Sequence, residues 1–197
     1  MTTGKHSFYG ILALVSLLGL GISQSARANL ITNGGFETGD FSGWTVSGPD
    51  NAVVGSVPLI SPHSGNFQAV FGIGNNSITQ NVATTPGSSY VIDFWLAAKI
   101  FAQVGGAFSV SWGGLTVVSG LTPLGIHPYT EYKFTVDALS STTALQFQFS
   151  NPDLPSNTYY LDDISVTRAG VPDGGSTVSL LGFALLGVAV LRRKLCC

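Results

Sequence analysis

Residues 90–96 have the sequence YVIDFWL, in which large apolar side chains occupy every second position. Side chains of a β-strand point alternately to the two faces of its sheet, so the even-numbered residues here form one apolar face. Asp93 and Trp95 are then on the opposite face. A strand that is apolar on one face only predicts an antiparallel sheet that covers a core from one side.

The same alternation recurs along the exported part of the chain, and no stretch of it shows sustained helical periodicity. Alternating runs lie at 108–112, 132–136 and 145–150, and further strands are predicted near 44–47, 52–59, 67–71, 77–82, 115–119 and 158–167. Gly, Pro and Asn separate these runs. About ten short antiparallel strands predict an all-β, two-sheet sandwich.

The N-terminus has the pattern of a secretory signal peptide. Lys5 and His6 precede an apolar run over 8–22, and Ala26-Arg27-Ala28 supplies small residues for cleavage. The apolar run is shorter than the ~20 residues of a stable membrane span, which favours removal of residues 1–28 by signal peptidase over an uncleaved anchor.

The C-terminus carries a second apolar segment. Residues 169–176 form a linker, 177–191 are predicted as a transmembrane helix, and 192–197 begin with Arg192, Arg193 and Lys194. These cations are predicted to stop transfer and remain cytoplasmic, which places the domain at 29–168 outside the membrane. The alternative is a permanent single-pass anchor that is never processed.

Charge content indicates which binding partners are plausible, and cysteine content indicates whether disulfides stabilise the domain. Residues 29–171 contain three basic and nine acidic side chains, a balance that argues against nucleic acid as a partner. Cys196 and Cys197 are the only cysteines, so the domain has no disulfide and is predicted to depend on burial.

Two stretches resemble the first and last strands of jelly-roll domains of the galactose-binding-like and carbohydrate-binding-module folds. They are NLITNGGFETGDFSGWTVSG at 29–48 and YYLDDISVT at 159–167, and HSGNFQAVFG and SSYVIDFWLAAK at 63–72 and 88–99 resemble inner strands. The resemblance implies a jelly-roll β-sandwich over 29–168.

The tail, VPDGGSTVSLLGFALLGVAVLRRKL, resembles the PEP-CTERM class of sorting signals in its VPDSG variant. Its leading motif is Val171, Pro172, Asp173, Gly174 and Gly175, with Gly174 where the variant has Ser. The resemblance implies a bacterial envelope protein that a membrane-embedded exosortase processes. Such a protein is sorted to the cell surface or released into extracellular polymer.

The jelly-roll resemblance also implies a structural Ca²⁺ site. Glu37 and Asp162 or Asp163 would supply carboxylates, and the carbonyl of Asn33 or Asp40 is a weaker expectation. Calcium takes six to eight oxygens, so carbonyls and water would provide the rest. The alternative is a set of solvated loop carboxylates.

A carbohydrate-binding face is predicted around Trp95 and Asp93. An aromatic ring beside a carboxylate can stack on a sugar and accept hydrogen bonds from its hydroxyls. The alternative is that Trp95 packs under a neighbouring loop.

The sequence favours a non-enzymatic protein of the cell surface or extracellular matrix. Asp162 and Asp163 are adjacent on a predicted strand, which puts them on opposite faces and excludes a cooperating acid/base pair. His63 and His127 are predicted in surface loops, and no G-x-S-x-G motif is present. A carbohydrate-binding module and, third, a secreted hydrolase are the alternatives.

Overall fold

The computed structural model describes residues 27–57, 60–100, 107–121, 125–151 and 157–170. The described residues contain ten strands: β1 (Thr45–Ser47), β2 (Asn51–Val54), β3 (Gln68–Phe71), β4 (Gly74–Ala83), β5 (Ser89–Ile100), β6 (Ala107–Trp112), β7 (Leu115–Leu121), β8 (Gly125–Asp137), β9 (Thr142–Asn151) and β10 (Thr158–Arg168). No helix within these ranges is long and apolar enough to span a bilayer. The predicted signal peptide up to Ala26, and the sorting motif, transmembrane helix and basic tail from Val171 onward, lie outside them.

The strands form two five-stranded antiparallel sheets. The first sheet has the order β1-β4-β9-β6-β7 and the second sheet has the order β2-β3-β10-β5-β8. Strands that are distant in sequence are neighbours in both sheets, as in the pairing of β4 with β9 and of β3 with β10. The predicted all-β sandwich is confirmed.

Aromatic side chains fill the space between the sheets. Phe94 of β5 is fully buried, and its ring centroid lies 5.1 Å from that of Phe147 on the first sheet. Phe71 and Phe149 also meet across the two sheets, with centroids 3.8 Å apart and planes 7° from parallel. The alternation at 90–96 therefore places its apolar face in the core, as predicted.

The predicted loop position of His127 is wrong, because this residue lies within β8. The expectation rested on Pro128, which has no N–H to donate to a ladder. Among the described strands β8 pairs with β5 alone, so β8 is an edge strand of the second sheet. Edge strands tolerate proline, since one side of the strand has no ladder to maintain.

Candidate functional site

A loop at 60–67 folds over the second sheet and is held by a carboxylate of β10. Asp162 is fully buried, and its Oδ2 accepts hydrogen bonds from the backbone N–H groups of His63, at 2.9 Å, and Ser64, at 3.3 Å. Its Oδ1 accepts one from the N–H of Asp163 at 2.8 Å. The carboxylate thus accepts hydrogen bonds from loop N–H groups that have no neighbouring strand to pair with.

Asp163 contacts the same loop, so the prediction that it faces away from Asp162 is wrong. Its Oδ2 lies 2.6 Å from Nδ1 of His63, and its Oδ1 accepts a hydrogen bond from Oγ of Ser64 at 2.7 Å. The ladder with β5 shifts register between Asp162 and Ser165, and Asp163 has a φ of 49°. This bulge breaks the strict alternation of faces and turns both carboxylates toward one loop.

Glu37 holds the far end of the loop. Its Oε1 accepts hydrogen bonds from the backbone N–H groups of Asn66 and Phe67, each at 2.9 Å. Gly65 has a φ of 61°, and a Cβ there would lie 2.3 Å from Oε1 of Glu37. The left-handed backbone at this position favours glycine, and any larger residue would have to displace the Glu37 carboxylate.

Glu37, Asp162 and Asp163 form what we call the carboxylate cluster. A Cβ built on Gly35 would lie 3.4 Å from Oδ1 of Asp163, 3.8 Å from Oδ1 of Asp162 and 3.8 Å from Cγ of Glu37. In the described part of the chain no Lys or Arg forms an ion pair with the cluster. Two carboxylate oxygens and the side-chain stem of Glu37 therefore lie near one backbone position, with no permanent positive charge paired to them among the described residues.

The environment shifts the pKa values of Asp162 and Glu37 in opposite directions. Burial raises the pKa of Asp162 from 3.8 to about 6, and the charge of Asp163 adds to this rise. Backbone hydrogen bonds from Phe67 and Asn66 lower the pKa of Glu37. The buried carboxyl therefore resists ionisation, while the exposed one is stabilised as an anion.

Carboxylate oxygens are the donors that Ca²⁺ prefers, so the cluster fits such an ion in chemical type. The described ranges contain no ready-made group of three or more His, Cys, Asp or Glu side chains around a metal position. The carbonyl of Asn33 accepts a hydrogen bond from Nε1 of Trp44, and that of Asp40 accepts one from Nδ2 of Asn33. Both carbonyls thus serve the turn between Asn33 and Trp44.

The predicted sugar-binding residues have protein partners. His63 stacks on Trp95 with ring centroids 3.7 Å apart and planes 15° from parallel, and Tyr129 meets the His63 ring edge-on. Asp93 forms an ion pair with Lys133 at 3.2 Å. Trp95 is half-buried, and the ring face that meets His63 is not available to a sugar.

Among the described residues, the remaining acidic side chains and the Ser64, His63 and Asp163 group do not form an arrangement for hydrolysis. Glu131 pairs with Lys133, and Asp137 accepts a hydrogen bond from Ser89 at 2.6 Å. Oγ of Ser64 donates to Asp163 rather than to His63, so the contiguous Ser, His and Asp side chains do not form the relay of a catalytic triad.

The outer face of the first sheet is chemically different from that of the second. The five strands β1, β4, β6, β7 and β9 contain no Asp, Glu, Lys, Arg or His. Ser, Thr, Asn and Gln side chains dominate their outward positions. We call this surface the amide–hydroxyl face.

The strand registers align these side chains in rows. One row crosses all five strands as Thr45, Thr79, Gln146, Ser111 and Thr116. A second row consists of Ser47, Ser77, Gln148 and Ser109. With strands ~4.8 Å apart, a five-strand row extends over about 19 Å.

Two shallow depressions open on the amide–hydroxyl face. One has a volume of about 250 Å³ and includes Ser109, Ser111, Gln146 and Gln148 in its lining. The other, of about 450 Å³, includes Thr45 and Thr79. The absence of charge from these strands is visible in the sequence, but their assembly into one sheet is not.

Comparison with known proteins identifies the tail. The family model described as the VPDSG-CTERM motif matches residues 170–195. The chain carries a VPDSG-CTERM sorting signal. The match covers the end of the chain and not the sandwich, and no curated protein matches the chain.

Solved structures share the fold of the sandwich. The carbohydrate-binding module TmCBM61, solved with β-1,4-galactotriose, aligns with a TM-score of 0.53 and 23% identity over 73% of this chain and 100% of its own. The CBM22-1 xylan-binding domain of Paenibacillus barcinonensis Xyn10C aligns with a TM-score of 0.50 and 15% identity over 74% and 97%. The Stig cyclase Fisc from Fischerella sp. TAU aligns with a TM-score of 0.53 and 14% identity over 74% and 100%. The domain is thus a jelly roll similar to carbohydrate-binding modules, a fold that also occurs in an enzyme.

We predict that Asp162 gives the domain a stability component that falls as pH rises. Its folded pKa of about 6 exceeds the usual 3.8, so the native state binds the proton more tightly, and this component is lost between about pH 4 and pH 6. Urea unfolding of residues 29–170 in EDTA, compared with Asp162→Asn, measures it. An NMR titration midpoint of the Asp162 carboxyl near 4 contradicts the prediction.

Proposed function

We propose that the protein is an exported carbohydrate-binding protein that functions at the bacterial cell surface or in the extracellular matrix. The observation that carries the proposal is the combination of a VPDSG-CTERM motif at 170–195 with a jelly roll like those of carbohydrate-binding modules. The motif supports export and sorting, and the fold supports the kind of ligand.

Sorting requires processing at both ends of the chain. Signal peptidase removes residues 1–28, and the apolar segment at 177–191 holds the domain at the membrane until an exosortase acts on the motif that begins at Val171. The basic residues from Arg192 onward keep the end of the tail in the cytoplasm.

We expect the intact mass of the protein recovered from its native envelope to show that two segments have been removed. The mass should lack residues 1–28, and the piece that follows the motif should be missing in cells with an exosortase and retained in cells without one. Full-length polypeptide in the cytoplasm, with its original methionine, contradicts the sorting proposal and leaves the ligand proposal untouched.

The ligand that the surface favours is a neutral polysaccharide bound across the amide–hydroxyl face. Amide and hydroxyl groups can donate and accept hydrogen bonds, as sugar hydroxyls do, and the face presents no charge to select an ionic polymer. The side chains of Gln146 and Gln148 lie centrally in the two rows. The neighbour solved with β-1,4-galactotriose supports this ligand class.

Binding without catalysis is the role that the domain supports best. Ser64 donates to Asp163 rather than to His63, and the strands of the amide–hydroxyl face have no titratable group for acid/base work. The similarity to a Stig cyclase favours an enzyme as the second candidate, which a search for turnover on bound ligands would test.

We expect Gln146→Ala and Gln148→Ala each to weaken binding of a neutral polysaccharide about tenfold, since each removes hydrogen bonds worth about 1.4 kcal/mol. Affinity electrophoresis of residues 29–170 in galactan or xylan measures the effect. Alginate serves as a charged comparison, and Thr135→Ala, on the outer face of the second sheet, is the matched control. If Trp95→Ala abolishes binding and the glutamine variants do not weaken it, the site is at Trp95 and Asp93.

We also propose that the carboxylate cluster takes up a structural Ca²⁺. Glu37, Asp162 and Asp163 would hold the ion, which would supply the positive charge that no Lys or Arg of the described residues gives them. Desolvating a carboxylate without a cation is costly, and Asp162 is fully buried. The ion would pin the loop at 60–67 and the N-terminal segment to β10.

Calcium is predicted to raise the melting temperature of the domain, because it binds the folded carboxylate cluster and not the unfolded chain. Glu37→Gln keeps the side-chain shape and removes the charge, so the increase should shrink in this variant. Asp137→Asn, which lies away from the cluster, should respond like the wild type. Equal melting temperatures in Ca²⁺ and EDTA would rule out the site.

A further inference from the structure

One end of the sandwich exposes two large apolar side chains. Leu139 is 78% exposed and Leu115 is 62% exposed, more than any other large apolar residue of the described ranges. Leu139 lies in the turn between β8 and β9, and Leu115 begins β7. Isolated exposed leucines are ordinary on soluble proteins, so their mutual position decides their meaning.

The two leucines belong to adjoining turns. Leu115 is the ladder partner of Trp112, whose Nε1 donates a hydrogen bond to the carbonyl of Asp137 at 3.0 Å. Leu139 follows Asp137 by two residues. The N–H of Gly113 donates a hydrogen bond to the carbonyl of Ala144 at 2.9 Å, which joins the turn before Leu115 to the start of β9. We call this surface the leucine end.

The chain leaves the domain toward its tail at the same end. The N–H of Ala169 donates a hydrogen bond to the carbonyl of Ser89 at 2.7 Å. Oγ of Ser89 in turn donates to Oδ1 of Asp137 at 2.6 Å. Ser89 therefore connects the exit of the chain at Ala169 with Asp137, which precedes the turn that carries Leu139.

The leucine end has few charges. Its turns at 84–88, 113–114 and 138–141 contain no Asp, Glu, Lys or Arg. Arg168 bonds Oγ of Ser88 there, and Asp137 is engaged by Ser89. The carboxylate cluster is not part of the leucine end. The leucine end can therefore approach an anionic surface without repulsion from a group of carboxylates.

The length of the tether limits how far this end can lie from a membrane. Seven residues, 171–177, separate the last described residue from the apolar run at 178–191. Fully extended they span at most about 24 Å, and as a flexible coil about 15 Å. The tail therefore keeps the leucine end, rather than the opposite end, near the bilayer.

We propose that the leucine end docks on the outer surface of the bilayer that holds the tail, with Leu115 and Leu139 in the headgroup region. The inference rests on the proposed membrane tail. Apolar side chains beside a short tether gain contact with lipid, and Arg168 meets anionic headgroups. The domain then stands upright while its tail is attached, and the amide–hydroxyl face remains open to the medium.

The test uses the full chain without its signal peptide, reconstituted in vesicles of phosphatidylcholine and phosphatidylglycerol. Leu139→Cys carries an environment-sensitive fluorophore, with Cys196 and Cys197 replaced by serine. Ile126→Cys is the matched control, since it is also exposed and lies about 40 Å away along β8. Label at 139 should shift to shorter wavelength and be quenched by nitroxide lipids, whereas label at 126 should do neither.

A second labelled position controls for the fact that the fluorophore at 139 replaces one of the two docking leucines. Ser140→Cys carries the fluorophore in a protein with Leu115→Ser and in one with Leu115 intact. The quenching at 140 should fall in the substituted protein, because one of the two docking side chains is gone.

Flotation of the vesicles separates this proposal from the proposed tail. If the protein floats with the vesicles and the labels at 139 and 140 are not quenched, the tail is inserted and the docking is wrong. If the protein does not float, the membrane tail itself fails, and the docking that rests on it fails too. Equal quenching at 126 and 139 also overturns it, since the domain then has no preferred end.

Discussion

The two sheets are held together by a continuous layer of aromatic side chains. The only cysteines of the chain are at its C-terminal end, so the sandwich depends on burial rather than on a disulfide. Phe71 and Phe149 stack directly across the gap, and Phe94 meets Phe147 nearby. This packing determines which side chains remain for the outer faces, and the outer faces carry the candidate sugar-binding surfaces.

The outer faces differ because one of them has a loop over it. The carboxylates of Glu37, Asp162 and Asp163 hold the loop at 60–67 against the second sheet, and His63 of that loop lies on Trp95. The first sheet has no charged residue within its strands. Charge therefore serves to close one face, and neutral amides and hydroxyls leave the other accessible.

The sequence predicted the strands well and the candidate site less well. Alternation at 90–96 identified both the core face of β5 and the outward position of Trp95, because a strand fixes side-chain direction locally. The same rule failed at Asp163. A bulge with a positive φ turns its side chain toward the loop at 60–67, which Asp162 also binds. The prediction for His127 failed for a different reason, because Pro128 excludes a central strand and not an edge strand.

The sequence by itself determined the apolar faces of the strands, the sorting motif at 170–195 and the absence of charge from five of the strands. Each of these depends on residues that are close in the chain. Only the tertiary structure decided that those five strands form one sheet, that His63 covers Trp95, and that Leu115 and Leu139 share the end from which the tail leaves. Such juxtapositions arise from pairings between segments far apart in sequence, which local periodicity does not encode.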